Sequence, residues 1–229
     1  MVKNTTGTYD ENDVVIAFTA HELAYLLELV QNEESATAKR ILGLPTPENN
    51  NAFLLAGAAT LLARRLAFVT EDELVVPNEA AALVAQIMTN PSNWIELALM
   101  SEPETEAVYV VVGSGATAVL SPRFLGMFEV RFIRPEQSGG SGIADIFLAF
   151  LESHAPAVAY ARVVVGPESD IALAVRLLED GTLELSRDEG KELESGTIAN
   201  DRARIVSRIA SIIDEGIDDD VAKGVTVGA

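Results

Sequence analysis

The side chains suited to chemistry are few. The chain holds two histidines, His21 and His154, and no cysteine, which removes thiolate metal sites, disulfides, CxxC redox chemistry and cysteine nucleophiles together. His21 falls in the first turn of an amphipathic segment beside Glu22, and His154 closes a helical run in the sequence His-Ala-Pro. A histidine/carboxylate metal site wants three or more ligands, and neither histidine has a second histidine or a suitably spaced carboxylate motif. Both read as helix-terminal or surface residues.

Carboxylates are abundant, and two groups stand out. Glu102, Glu104 and Glu106 alternate around Pro103, and Asp218, Asp219 and Asp220 are consecutive near the end of the chain. Acid/base carboxylates need a cleft that tunes their pKa; a turn and a polar tail predict solvated charge instead, with at most weak attraction for a cation.

Two glycine-rich stretches invite a phosphate reading. Gly113-Ser114-Gly115 lacks the third spaced glycine of a dinucleotide loop and is followed by the strand-like ATAVLS, so it reads as a hairpin turn; nor does it form a G-x-S-x-G elbow. The run SGGSG at 138–142 does precede a helical segment, whose first amides suit an anion. No Lys or Arg follows in that first turn, Asp145 stands there instead, and the run reads as a flexible linker. The sequence thus predicts no catalytic residue, no cofactor and no metal, hence a protein that is not an enzyme. Its partner-binding residues are not assignable from sequence, and the exposed sheet surface or the run 138–142 is the place to look for them.

The elements around these residues are legible from their punctuation. Thr19 and Glu22 form a capping box ahead of Leu23, Leu26, Leu27 and Val30. A short helix is expected over 34–42, ending at Gly43, and a longer one over 52–66, with Arg64 and Arg65 in its last turn, where they favour the negative end of the dipole. AFVTEDELVVP reads as a small hairpin, and Asn78 caps a helix that Asn90-Pro91 stops. Residues 93–134 hold the densest β-branched and aromatic runs, consecutive strands of an antiparallel sheet. After a linker at 135–142 come a helix over 143–153, strands at 158–165, 171–178 and 182–186, a polar connection EGKELESG, and a helix from residue 200 or 201 to about 215. Residues 1–13 and 217–229 read as loose.

This order predicts an α+β fold: a largely antiparallel central sheet, an N-terminal helical, winged-helix-like region, and two strand-then-helix blocks related by pseudo-twofold symmetry. A single domain over 1–229 is expected, with a subdivision into 14–134 and 143–216.

Global charge narrows the partners. Thirty-five acidic residues against sixteen basic ones give a net charge of −19, spread over both halves. Such a surface repels phosphate backbones and anionic lipid, and suits a protein partner with an apolar or basic surface; a homodimer is left open. Only four of the basic residues are Lys, as in a salt-adapted or GC-rich source. No stretch reaches the roughly 18 apolar residues of a membrane span, and the N-terminus lacks the apolar run of a signal peptide, so no membrane insertion and a cytoplasmic location are expected. The winged-helix order of the N-terminal helices and hairpin makes a DNA-binding regulator the alternative. Against it, FLLAGAATLLARRL has only two basic residues, both at its end, and the wing tip is Glu71-Asp72-Glu73.

The passages FTAHELAYLLELV at 18–30, AGAATLLARRLAFVTEDELVVPNEAAALVAQIMTNP at 56–91 and WIELALM at 94–100 are similar in layout to the EspG family of type VII (ESX) secretion chaperones. The likeness covers about the first 130 residues, and the second strand block and last helix more loosely. It implies an α+β fold with a central sheet and an internal pseudo-twofold, no enzymatic activity, and cytosolic binding of the apolar helical tip of PE-PPE partners.

Overall fold

The computed structural model describes residues 15–45, 51–72, 74–133, 138–165, 168–187 and 191–224. The chain enters through strand β1 (Val15–Thr19) and turns directly into helix α1 (Ala20–Glu28). The capping box is present: Glu22 N donates to Thr19 Oγ1 at 3.1 Å, and Thr19 N donates to Glu22 Oε2 at 2.7 Å. Helix α2 (Glu33–Ile41) is capped by Asn32, and helix α3 (Asn51–Ala63) leads to a hairpin of β2 (Ala67–Val69) and β3 (Val75–Pro77). Helix α4 (Glu79–Thr89) starts at the Asn78 cap and ends at Asn90, ahead of Pro91.

The end of α3 departs from the sequence expectation. The helix stops at Ala63, and Arg65 takes a left-handed φ of 61°. Arg64 serves a tertiary contact, donating to Glu22 Oε2 at 2.6 Å and to the Ala17 carbonyl at 2.7 Å.

The remaining strands are β4 (Pro91–Ser101), β5 (Glu104–Gly113), β6 (Ala116–Arg123), β7 (Met127–Ile133), β8 (Ala157–Val165), β9 (Glu168–Leu177), β10 (Thr182–Arg187) and β11 (Lys191–Thr197). Helix α5 (Gly139–Ser153) lies between β7 and β8, and α6 (Ile198–Gly224) follows β11. Among the described residues nine strands form one sheet in the order β1-β7-β6-β5-β4-β8-β9-β10-β11, with every neighbouring pair antiparallel. β4 and β8 meet at its centre, where Leu97 faces Ala161. Each opens a four-strand meander that ends in a long helix, so a pseudo-twofold axis passes between them. The fold is α+β, with β1 added at one outer edge.

Three expectations need correction. The run EGKELESG contains strand β11; only Leu193 is apolar there, and an edge strand needs neither alternation nor burial to pair on one side. The glycines at 139–142 are not a linker but the first turn of α5, capped by Ser138, whose side chain accepts from Ser141 N at 3.1 Å. Two of them are small because other elements come close there: a Cβ on Gly140 would overlap the Ala210 carbonyl oxygen of α6, and one on Gly142 would meet the Ile133 side chain of β7. Finally, α6 continues to Gly224 through the aspartate run expected to fray. The turn expected at Gly166-Pro167, the linker residues 135–137 and the loose residues 1–13 lie outside the described residues.

Alternation along the strands divides the sheet into two faces. On one face Ile95, Leu97 and Leu99 of β4 join Val108 and Val110 of β5, Ala159, Ala161 and Val163 of β8, and Leu173 and Val175 of β9 beneath α5 and α6, which also pack on each other. On the other, Trp94, Val111, Leu120, Phe128 and Val130 form a second core with Leu23, Leu26 and Leu27 of α1 and Val84 and Met88 of α4. That second layer of helices covers the half of the sheet from β1 to β4.

Candidate functional site

Because α1 to α4 stop at β4, the same face of β8, β9 and β10 has no helix over it among the described residues. The pairings place its side chains in rows across the strands. Glu96 of β4 faces Arg162 of β8 and then Ala172 of β9; Ala98 faces Tyr160, then Ala174 and Ser186; Met100 faces Val158, then Arg176 and Glu184. All are partly or fully exposed, whereas Ala159, Ala161 and Val163 on the opposite face are buried. Ala98 on β4 and Ala172 and Ala174 on β9 are small residues on this surface, and Tyr160 and Arg162 of β8 stand between them.

Charges on this surface fall in pairs. Arg162 donates to Glu96 at 2.5 Å, and Arg176 lies 3.7 Å from Glu184. Glu96 also faces Tyr109 on β5. Burial, and secondarily the Glu96 carboxylate, push the Tyr109 phenol above its ordinary range.

A cavity lies at each end of the β4/β8 pair. The larger, 610 Å³, has mostly apolar walls that include Met100, Pro103, Pro156, Val158 and Leu177. The smaller, 180 Å³, is bounded by Glu33, Glu34 and Thr37 of α2 and by Trp94 and Val164, a facing pair of β4 and β8. The α2 end is held there by Asn32, whose Oδ1 accepts from Ser35 N at 2.9 Å while its Nδ2 donates to Thr89 O at 2.8 Å. That bond sets the start of α2 on the end of α4, next to Pro91 where β4 begins.

The residues singled out from the sequence are dispersed, with one exception. His21 stacks on Phe53 with ring centroids 3.8 Å apart, tying α1 to α3. His154 ends α5, its Nδ1–H donating to Phe150 O at 2.9 Å and its ring stacking on Phe150. The exception is that Glu102 and His154 line the same larger cavity, whereas Glu104 and Glu106 are exposed on β5. Ser114 and Gly115 make the β5–β6 turn, Gly115 with φ of 91°. The amide at the start of α5 is already engaged, since Gly140 N donates to Asp214 Oδ1 at 2.9 Å. Among the described residues no group of three histidines or carboxylates is placed to hold a metal, and no helix is long and apolar enough to cross a membrane.

Sequence reasoning missed Tyr160, Arg162, Ala174 and Arg176. The available signal was the alternation in AVAYARVVV, where alanines and Val163 point to one face and Val158, Tyr160, Arg162 and Val164 to the other. It gives two faces but not which is left open.

Fold and surface together define the class: an antiparallel α+β protein with pseudo-twofold strand-helix blocks, whose sheet carries α5 and α6 over the central strands of one face and, among the described residues, helices over only the β1-to-β4 half of the other. Comparison with family models finds no match for the chain, and comparison with curated proteins finds none either.

Proposed function

We propose that this protein is a non-enzymatic binding module that holds an amphipathic helix of a protein partner on the open half of its sheet. The observation behind this reading is the asymmetry of the second face. Its β1-to-β4 half is packed under helices, and the β8-to-β10 half presents Val158 and Tyr160 of β8 between small residues, Ala98 on β4 and Ala172 and Ala174 on β9, with Met100 and an apolar cavity at one end. β8 from Val158 to Val164 spans roughly 20 Å at about 3.3 Å per residue, which matches a helix of about 13 residues. A helix laid in a groove by its apolar stripe is a recurring mode of peptide recognition. The likeness in layout to the EspG family supports a chaperone of type VII secretion substrates as the specific form of this activity.

The DNA-binding alternative has less support. Both basic residues expected at the end of the recognition helix lie beyond its last residue, Ala63, Arg64 is committed to Glu22 and Ala17, and the acidic surface opposes a phosphate backbone.

Partner capture from the native cell tests the proposal when paired with charge insertion on the open half of the sheet. Ala174→Arg and Ala98→Arg each leave the core untouched and are expected to reduce recovery of the partner by about tenfold or more, with an unchanged circular dichroism spectrum. Full recovery with both variants would refute the open half-sheet as the binding surface.

A further inference from the structure

The sheet has two outer edges, β1 and β11, and the chain treats them differently. An edge strand leaves main-chain donors and acceptors unpaired and so invites a further strand, which charged side chains discourage. The sequence of β11, KELESGT, carries Lys191, Glu192 and Glu194. That of β1, VIAFT, carries no charge and is β-branched or aromatic at every position but Ala17, and among the described residues no strand lies on its outer side. By its own residues β1 is an adhesive edge.

What closes it comes from other elements. In an antiparallel pair, alternate residues turn both main-chain groups toward the neighbouring strand, and the residues between them turn theirs away. Ala17 and Thr19, two apart in β1, are opposite Glu129 and Met127 of β7, yet side chains from outside β7 reach both: Arg64 Nη2 donates to the Ala17 carbonyl at 2.7 Å, and Thr19 N donates to Glu22 Oε2 at 2.7 Å. Ala17 and Thr19 are therefore the residues turned to the open edge. Arg64 Nη1 also donates to Glu22 Oε2, at 2.6 Å, so that one ion pair spans both outward positions. Glu22 is fully buried in α1, and Arg64 follows directly on α3. The pair occupies groups that an added strand would have to use.

We infer that the Arg64–Glu22 pair guards the edge of β1, and that the surface it closes fits β1 of a second copy of this chain. Two β1 strands related by a twofold axis meet antiparallel and residue for residue, and neither brings a charge against the other, whereas two β11 strands would. The inference is independent of the helix-binding reading, which concerns the other half of the sheet.

The test is sedimentation velocity of the full chain over a dilution series, at about 0.3 M salt to screen the repulsion between two acidic molecules. Arg64→Met removes the guanidinium and keeps an unbranched stem. Glu22→Gln/Arg64→Met does so without leaving a buried carboxylate unpaired, and its glutamine still accepts from Thr19 N, so it tests the edge even where the single variant fails to fold. Both are expected to dimerise at least about tenfold more tightly than the natural chain. Adding Ala17→Pro, which deletes the outward N–H at the middle of the edge, is expected to cancel that gain. Association of the double variant no tighter than that of the natural chain, a gain that survives Ala17→Pro, or a species whose mass is not twice the monomer's would each overturn the inference.

Discussion

Glu22 joins three parts of the N-terminal layer through one carboxylate. It is fully buried, its Oε2 accepts from Thr19 N and from Arg64, and its Oε1 has no hydrogen-bond partner among the described residues. Replacement by alanine removes the side-chain half of the capping box and leaves Arg64 without its carboxylate, so Glu22→Ala is expected to cost about 3 kcal/mol; Glu22→Gln, which keeps an acceptor for Thr19 N, about 1 kcal/mol. Urea unfolding of the two variants checks the order. Tyr109 gives a dependence on pH. Its folded pKa is raised above the unfolded value of about 10, so its contribution to stability is complete below that value and is lost as pH rises through the raised folded value. Tyr109→Phe is expected to flatten the alkaline fall in stability, measured by urea midpoints across that range.

Two glycines illustrate, at the scale of elements, what could be read from the sequence and what could not. Gly43 follows α2 with φ of 63° and nothing near its absent Cβ, a helix stop legible from its position alone. Gly57 sits inside α3, where glycine is locally unfavourable, and only the structure gives its reason: a Cβ there would overlap the His21 carbonyl of α1. Gly57→Ala is therefore expected to destabilise by about 2 to 3 kcal/mol through separation of α1 from α3, against about 1 kcal/mol for Gly43→Ala. Chemical unfolding of both variants tests the ranking. The same logic explains the misreading of the glycines at 139–142, since tight helix contact and flexible linkage use one residue type. Caps, hairpins and the dense strands were legible because each is specified within a few residues. The strand in KELESGT was not, because its partner β10 specifies it, and the open half-face was not, because what leaves a sheet face bare is the extent of another layer.

For the whole molecule, the meeting of β4 and β8 at the centre sets where stability is greatest. Their amides are bonded on both sides beneath α5 and α6, whereas β1 and β11 have one neighbour each. Hydrogen exchange is expected to be slowest in β4 and β8 and faster by orders of magnitude at the two edge strands; uniform protection across the sheet would contradict that arrangement. The link between Gly140 N and Asp214 adds a temporal dimension. The start of α5 finds its capping carboxylate 74 residues later in the chain, within the helix that also supplies Ile205, Ile209, Ile212 and Ile213 to the shared core. During synthesis, the first strand-helix block leaves the ribosome with an unfinished helix terminus and an uncovered apolar face. That core and that helix terminus can be completed only once α6 has been made.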